Sequence, residues 1–298
     1  MIMFQQPETA MWFTAAARLA ALLGDPVAHS LSPRLHNHWF ARHRIDGLYL
    51  ALRVPAGDLA ATLRLLPRLG FLGFNITLPH KEAAFALVDR HDPAAARIGA
   101  VNTVLVHADG SLLGCNTDGS GFLLHLRATC PAFRPDAAPA VLLGAGGAAR
   151  AIAAALLDAG VEELRLVNRT AERAHALADW LSRHFAHRPT VVPWPDRAEA
   201  LRGAGLLVNA TSLGMQGKPP LDLPLDPLPL SAIVADIVYV PLATDLLVRA
   251  RLRGHPVVDG LGMLIGQAVP GFRHWGGTEP AIDASTHAFL RRALEDRR

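Results

Sequence analysis

Three stretches of this 298-residue chain carry residue types at spacings that can do chemistry. The first is "VLLGAGGAARAIA", residues 141–153: a strand, a glycine turn, then an Ala-rich helix. In that context Gly144 makes the tight turn and Gly146 lets backbone approach a pyrophosphate. Ala149 fills the third small position, where helix and strand pack closely. Amides at the helix start would hold the anion; a glycine turn with no ligand is the plainer alternative. The second stretch is "LRLVNRTAERA", about 20 residues on, where an adenosine ribose is expected. Asn168 stands where an NAD enzyme carries Asp or Glu, Arg169 follows, and Arg173 comes one helical turn later. Two guanidiniums there form charge-assisted bonds to a 2′-phosphate, which a carboxylate would repel. The competing reading is a pair of solvated arginines; the binding reading favours NADP over NAD. The third is "NITLPHK", residues 75–81. Pro79 and His80 stop a strand, and Lys81 opens the helical run "EAAFALVDR". A cation there opposes the helix dipole by about 0.3–1 kcal/mol, so a role beyond a solvated lysine is worth seeking.

These residues must be positioned by a core, and the composition supplies one. Hydrophobic residues make up 51% of the chain and charged ones 18%, which argues for ordered domains. The length fits two of them. The net charge of +3, from 29 basic and 26 acidic residues, is scattered and forms no basic run, so no nucleic-acid partner is expected. Cys115 and Cys130 match no metal-ligand spacing and make a poor disulfide framework. Reduced thiols and a cytoplasmic location follow. The N-terminus lacks a basic n-region and carries Glu8, unlike a signal peptide. No uncharged apolar run reaches the roughly 18 residues that span a bilayer, so no membrane partner is expected. No metal site is expected either.

Along the chain, strands are read at 18–24, 48–54, 71–77 and 100–106. Ser32 is expected to cap a helix with Pro33 at its first position. Further helices are read over 55–70 and 81–90. "HADGSLLG" signals a hairpin with Asp109-Gly110 at its turn. This adds an antiparallel strand to a crossover-connected sheet. Three prolines in 128–140 mark a domain approach, with a connector helix opening near Asp118. Strands near 140–144, 163–168, 189–193, 205–209 and 232–238 then alternate with helices, which argues for a doubly wound parallel sheet. The end is helical, through 262–275 and 280–296, and Pro270 is expected to kink or break the first of these helices.

From about Leu22 to Trp275 the chain resembles the shikimate dehydrogenase family. The resemblance rests on nine motifs in order: "GDPVAHSLSPRLHN" (24–37), "GFNITLPHK" (73–81), "GAVNTV" (99–104), "GCNTDGSGF" (114–122), "GAGGAAR" (144–150), "NRT" (168–170), "NATSLGM" (209–215), "DIVYVPLAT" (236–244) and "GMLIGQA" (262–268). It implies an α/β fold of two domains. An N-terminal substrate-binding domain with a mostly parallel sheet spans 1–120, and a Rossmann-like NADP-binding domain spans 121–261. The C-terminal helices, 262–298, return to the first. It implies reversible NADPH-dependent reduction of 3-dehydroshikimate to shikimate, on the route to chorismate and the aromatic amino acids. Lys81 and Asp118 would be the catalytic pair, the ammonium stabilising a developing oxyanion and exchanging its proton. Ser30, Ser32, Thr77, Asn102, Tyr239 and Gln267 would bind substrate. Gly144, Ala145, Gly146, Gly147, Ala148, Asn168, Arg169, Thr170, Arg173, Thr211 and Gly260 would bind the cofactor. Capping by Ser32 and substrate binding are compatible, because a helix start favours an anion.

Pro270 puts the aim of Gln267 in question, and the first fifteen or so residues have no counterpart in the resemblance, with disorder one reading of them. Two other functions remain open at this point. One is a quinate or aminoshikimate dehydrogenase on the same scaffold; the other is a non-catalytic NADP or shikimate sensor. A small-molecule substrate and a monomer or homodimer fit all three.

Overall fold

The computed structural model describes residues 13–296. Most of the unmatched N-terminal stretch, residues 1–12, lies outside the described residues, but Thr14 is tied down: its amide and hydroxyl donate to Asp46 at 3.0 and 2.6 Å.

The first half builds a six-stranded sheet. Its elements are β1 (Arg18–Gly24), α1 (Ser32–Arg42), β2 (Gly47–Arg53), α2 (Leu59–Leu65), β3 (Phe71–Ile76), α3 (Lys81–Leu87), β4 (Arg90–His91), α4 (Pro93–Ile98), β5 (Thr103–Val106) and β6 (Leu112–Cys115). The strand order is β2-β1-β3-β5-β6-β4. β1 is parallel to β2 and β3, whereas β5 is antiparallel to β3 and β6. The hairpin turns at Gly110, with φ +81.

Three expectations need correction here. The strand expected from residue 100 begins at Thr103, because the Val101 amide donates to the Lys81 carbonyl at 2.8 Å instead of joining the ladder. The helix expected over 55–70 is split by 3₁₀ turns at Ala56–Asp58 and Leu66–Leu69, as Pro67 removes a donor. Helix α3 ends at Leu87 rather than residue 90, where Asp89 turns to donate to Leu112.

The second half continues with α5 (Asp118–Thr129), β7 (Ala140–Leu143), α6 (Gly147–Asp158), β8 (Leu164–Val167), α7 (Ala171–His184), β9 (Thr190–Val192), β10 (Leu206–Asn209), β11 (Ile233–Asp236), α8 (Asp245–Leu252), β12 (Val257–Val258), α9 (Gly260–Gly276) and α10 (Ala284–Glu295). All six strands, β7 to β12, run parallel in the order β12-β11-β10-β7-β8-β9. Renumbered from β7, this is the doubly wound 3-2-1-4-5-6 order, whose ligand crevice lies between β7 and β10. Apolar strands and an Ala-rich α6 fill the space between layers: Leu142, Ile152, Leu156, Leu166 and Val208 are fully buried.

Helices α5 and α9 join the halves. α9 and α10 return to the first sheet, where Leu261, Ile265, Phe272 and Leu290 pack with Leu22, Trp39 and Tyr49. Of the expected kink or break at Pro270, the break does not occur: α9 runs through it as one helix. Pro270 is exposed while Val269, Phe272 and Trp275 are buried, and that burial offsets a proline cost of about 3 kcal/mol. Two glycines after Asp118 set the crossings of α5. A Cβ on Gly119 would lie 2.5 Å from the Ala151 carbonyl of α6, and one on Gly121 would lie 2.5 Å from the Gln267 amide of α9. Since backbone is in the way, Gly121→Ala should cost about 1–3 kcal/mol of stability. Urea unfolding checks it.

Candidate active site

Lys81 and Asp118 are each the first residue of a helix, α3 and α5. Their side chains meet, Lys81 Nζ donating to Asp118 Oδ2 at 2.5 Å, and they are only 13% and 5% exposed. Asp118 suits the positive end of its helix, and it offsets the unfavourable placement of the Lys81 ammonium. The lysine stem packs on the start of α6, where a Cβ on Gly147 would lie 2.9 Å from Lys81 Cβ. The pair therefore sits where the two halves of the molecule meet.

Asn102 is the hub behind the pair. Its Oδ1 accepts from the Thr117 amide at 2.9 Å, which fixes the orientation of the side chain. Its Nδ2 then donates to Asp118 Oδ1 at 2.9 Å and to Gln267 Oε1 at 3.2 Å. The Thr117 hydroxyl donates to the Gln267 carbonyl at 2.7 Å, pinning α9 to the start of α5. Further back, Thr103 donates to Asn102, Asn75 to Thr103, and Tyr49 to Asn75, at 3.0, 3.1 and 2.7 Å. Thr117, Thr103 and Asn75 were not singled out from the sequence. Only the position of Thr117 inside "NTDG" hinted at one of them.

The remaining substrate candidates lie at a helix start or just beyond a strand. Ser32 is the first residue of α1 and Pro33 the second, with Leu31 at the cap position. The expected cap by Ser32 is thus corrected: the Ser32 amide donates to Ser30 Oγ at 3.1 Å, so the earlier hydroxyl serves the helix start. Thr77 follows β3 beside Gly24, where its methyl would lie 2.3 Å from an added Cβ. Tyr239 leaves β11 and packs against the aromatic cluster of the first half.

On the other side, Gly144 has φ +112, and an added Cβ would lie 2.8 Å from the Ala210 carbonyl, so a glycine is required. Gly146 precedes α6 with no side-chain cap, and nothing lies within 4 Å of a Cβ built on it. Ala145, Gly147 and Ala149 are buried, and Ala148 is half-buried beside them. Thr211 follows β10 across the crevice, donating to Asn209 Oδ1 at 2.7 Å. At the end of β8, Asn168 Nδ2 donates to the Thr170 carbonyl at 2.8 Å and shapes the turn. Arg169, Thr170 and Arg173 are exposed. An open glycine cradle, uncapped helix amides and two guanidiniums one strand over fit a dinucleotide with a 2′-phosphate. Gly260 opens α9 against the Ile237 carbonyl, 2.2 Å from an added Cβ; close packing alone explains why it is a glycine.

Asp236, at the end of β11, is buried beside this crevice. Burial pushes its carboxyl up to about 6, against bonds from Val238, Thr244 and Asn209 that favour the charge. The folded state therefore holds the proton more tightly than the unfolded chain. This group's contribution to stability falls as pH rises from about 4 to about 6. Asp236→Asn should gain on the native chain by roughly 2–3 kcal/mol between pH 4 and pH 7, read by urea unfolding at both pH values.

Residues 22–104 match the family described as the shikimate dehydrogenase substrate binding domain, and residues 132–214 match shikimate / quinate 5-dehydrogenase. The shikimate dehydrogenase (NADP(+)) of Paramagnetospirillum magneticum is 56% identical over 92% of this chain and 98% of its own length. Among solved structures, shikimate 5-dehydrogenase from Thermus thermophilus, in complex with NADP(H) and shikimate, superposes with TM-score 0.80. It is 42% identical, covering 93% of this chain and 99% of that one. Quinate dehydrogenase from Corynebacterium glutamicum, in complex with NAD, gives TM-score 0.85 at 33% identity, covering 92% and 99%. No helix among the described residues is long and apolar enough to cross a membrane.

Proposed function

The chain belongs to the shikimate dehydrogenase family, and from that premise we propose that it reduces 3-dehydroshikimate to shikimate, reversibly, with NADPH, between its two sheets. The observation that carries the residue assignment is the buried Lys81–Asp118 pair locked by Asn102 and Gln267. NADPH, when bound, would supply the hydride. Lys81 would give a proton to the oxygen that gains charge, and its ammonium would stabilise that oxygen. Asp118 keeps the ammonium aimed and offers acceptors to ring hydroxyls. Asn102 and Gln267 hold the far side of the ring. Ser30 and Ser32 receive the carboxylate at the start of α1, and Thr77 and Tyr239 close the site.

The glycine turn, with Gly144, Ala145, Gly146, Gly147 and Ala148, would hold the pyrophosphate; Thr211 and Gly260 would flank the nicotinamide side. Asn168, Arg169, Thr170 and Arg173 would hold the adenosine end. In this reading residues 1–120 with 262–298 form the substrate domain and 121–261 the NADP domain, in a cytoplasmic monomer or homodimer acting on small molecules alone.

Quinate is the second reading, favoured by the likeness to the quinate dehydrogenase. Quinate adds a hydroxyl on the carboxylate-bearing carbon, next to where Ser30 and Ser32 are assigned; two serines there favour shikimate. Calorimetry tests the assignment. Shikimate should bind the native protein with one site, and Asp118→Ala should weaken it about tenfold or more, the loss expected for a charge-assisted bond. Unchanged binding would remove the substrate from Asp118.

A further inference from the structure

Glu82 follows Lys81 in the first turn of α3, on the first half of the molecule. Its carboxylate reaches across to two arginines of the second half: Oε2 lies 3.8 Å from Arg150 Nε on α6, and Oε1 lies 3.6 Å from Arg173 Nη2 on α7. Both separations exceed hydrogen-bond length, so these are loose ion pairs that a better anion can displace. The two arginines differ. The Arg150 side chain is 14% exposed, lies 5.6 Å from the Trp180 ring, and donates to the Ile98 carbonyl at 3.4 Å. Arg173 is 58% exposed and free to swing.

We propose that Glu82 is a cofactor-specificity residue: it competes with the 2′-phosphate of the dinucleotide for Arg173. The assignment rests on the reading of Arg173 as a 2′-phosphate ligand. A phosphate dianion forms short charge-assisted bonds with a guanidinium, and a half-exposed carboxylate 3.6 Å away does not match them. Lys81 stays against α6 through the packing of its own stem on Gly147 as Arg173 leaves. The exchange taxes only ligands that need Arg173. Glu82 therefore sets the level of 2′-phosphate affinity while leaving the rest of the nucleotide unaffected.

The test is calorimetric titration of the full chain with adenosine 2′,5′-bisphosphate and with 5′-AMP. Glu82→Gln should tighten the bisphosphate about two- to fivefold, the scale of a part-exposed ion pair, and leave 5′-AMP unchanged. In an Arg173→Gln background the same substitution should change neither. Equal effects on both nucleotides, or weaker bisphosphate binding in Glu82→Gln, would overturn the proposal, as would no effect. If Arg173→Gln removes the preference for the bisphosphate while Glu82→Gln does nothing, Glu82 alone is misassigned. If the native chain shows no preference for the bisphosphate, the NADP reading falls and this proposal falls with it.

Discussion

Lys81→Ala lowers kcat for shikimate oxidation by about 10²–10⁴-fold, the range for a general acid–base group, while KM for shikimate moves by only about threefold or less. The expectation follows from where the lysine sits. Its ammonium is bonded to Asp118 and screened from water at 13% exposure, so a charge on a nearby oxygen is felt strongly there. Ring hydroxyls would be gripped by Asp118, Asn102 and Gln267, which remain bonded to one another without the lysine. Removing Lys81 therefore strips a contact made mainly in the transition state. Alanine also frees space against Gly147, and Lys81→Met, which keeps the stem, separates that packing loss from the chemistry. Steady-state kinetics of both variants read the split. A rate within about tenfold of native in Lys81→Met would assign proton transfer to another group.

The second large effect is on the cofactor. Replacing Arg169 and Arg173 together with glutamine should raise KM for NADP by about 100-fold or more, since each charge-assisted bond contributes about 1.5–3 kcal/mol. KM for NAD should stay within about twofold, because the pyrophosphate rests on the glycine turn and α6. Asn168 shapes that turn through Thr170 and should be kept in place. Equal losses with both cofactors would mean that the two arginines support the fold at the end of β8 rather than select a phosphate.

Much of the architecture was legible because local pattern and global fold agree. β1 was bounded correctly from "RLAALLG". The roles read for Gly144 and Ala149 match a positive φ and a fully buried helix contact. Where the sequence misled, tertiary contacts decided. β4 is two residues long and exists through its pairing with β6. The short α4 is held by Asp92, whose side chain accepts from the Ala95 amide at 2.6 Å. That Asp-Pro start was visible, but six residues are too few to show a helical period. Pro270 does not break α9, because propensity says nothing of the burial on either side of it. In the site, residue types with distinctive chemistry stood out, and Thr117 and Thr103 did not. The importance of a threonine that orients an amide side chain, through the backbone amide of Thr117 and the hydroxyl of Thr103, depends on a neighbour 15 positions or 1 position away in sequence.

The most direct measurement follows nicotinamide absorbance with purified protein in four mixtures, shikimate or quinate with NADP or NAD. Turnover is expected with shikimate and NADP, and much slower turnover in the other three. Comparable turnover of quinate or with NAD would contradict the roles given to Ser30 and Ser32, or to Arg169 and Arg173. Silence in all four would contradict the assigned reaction itself.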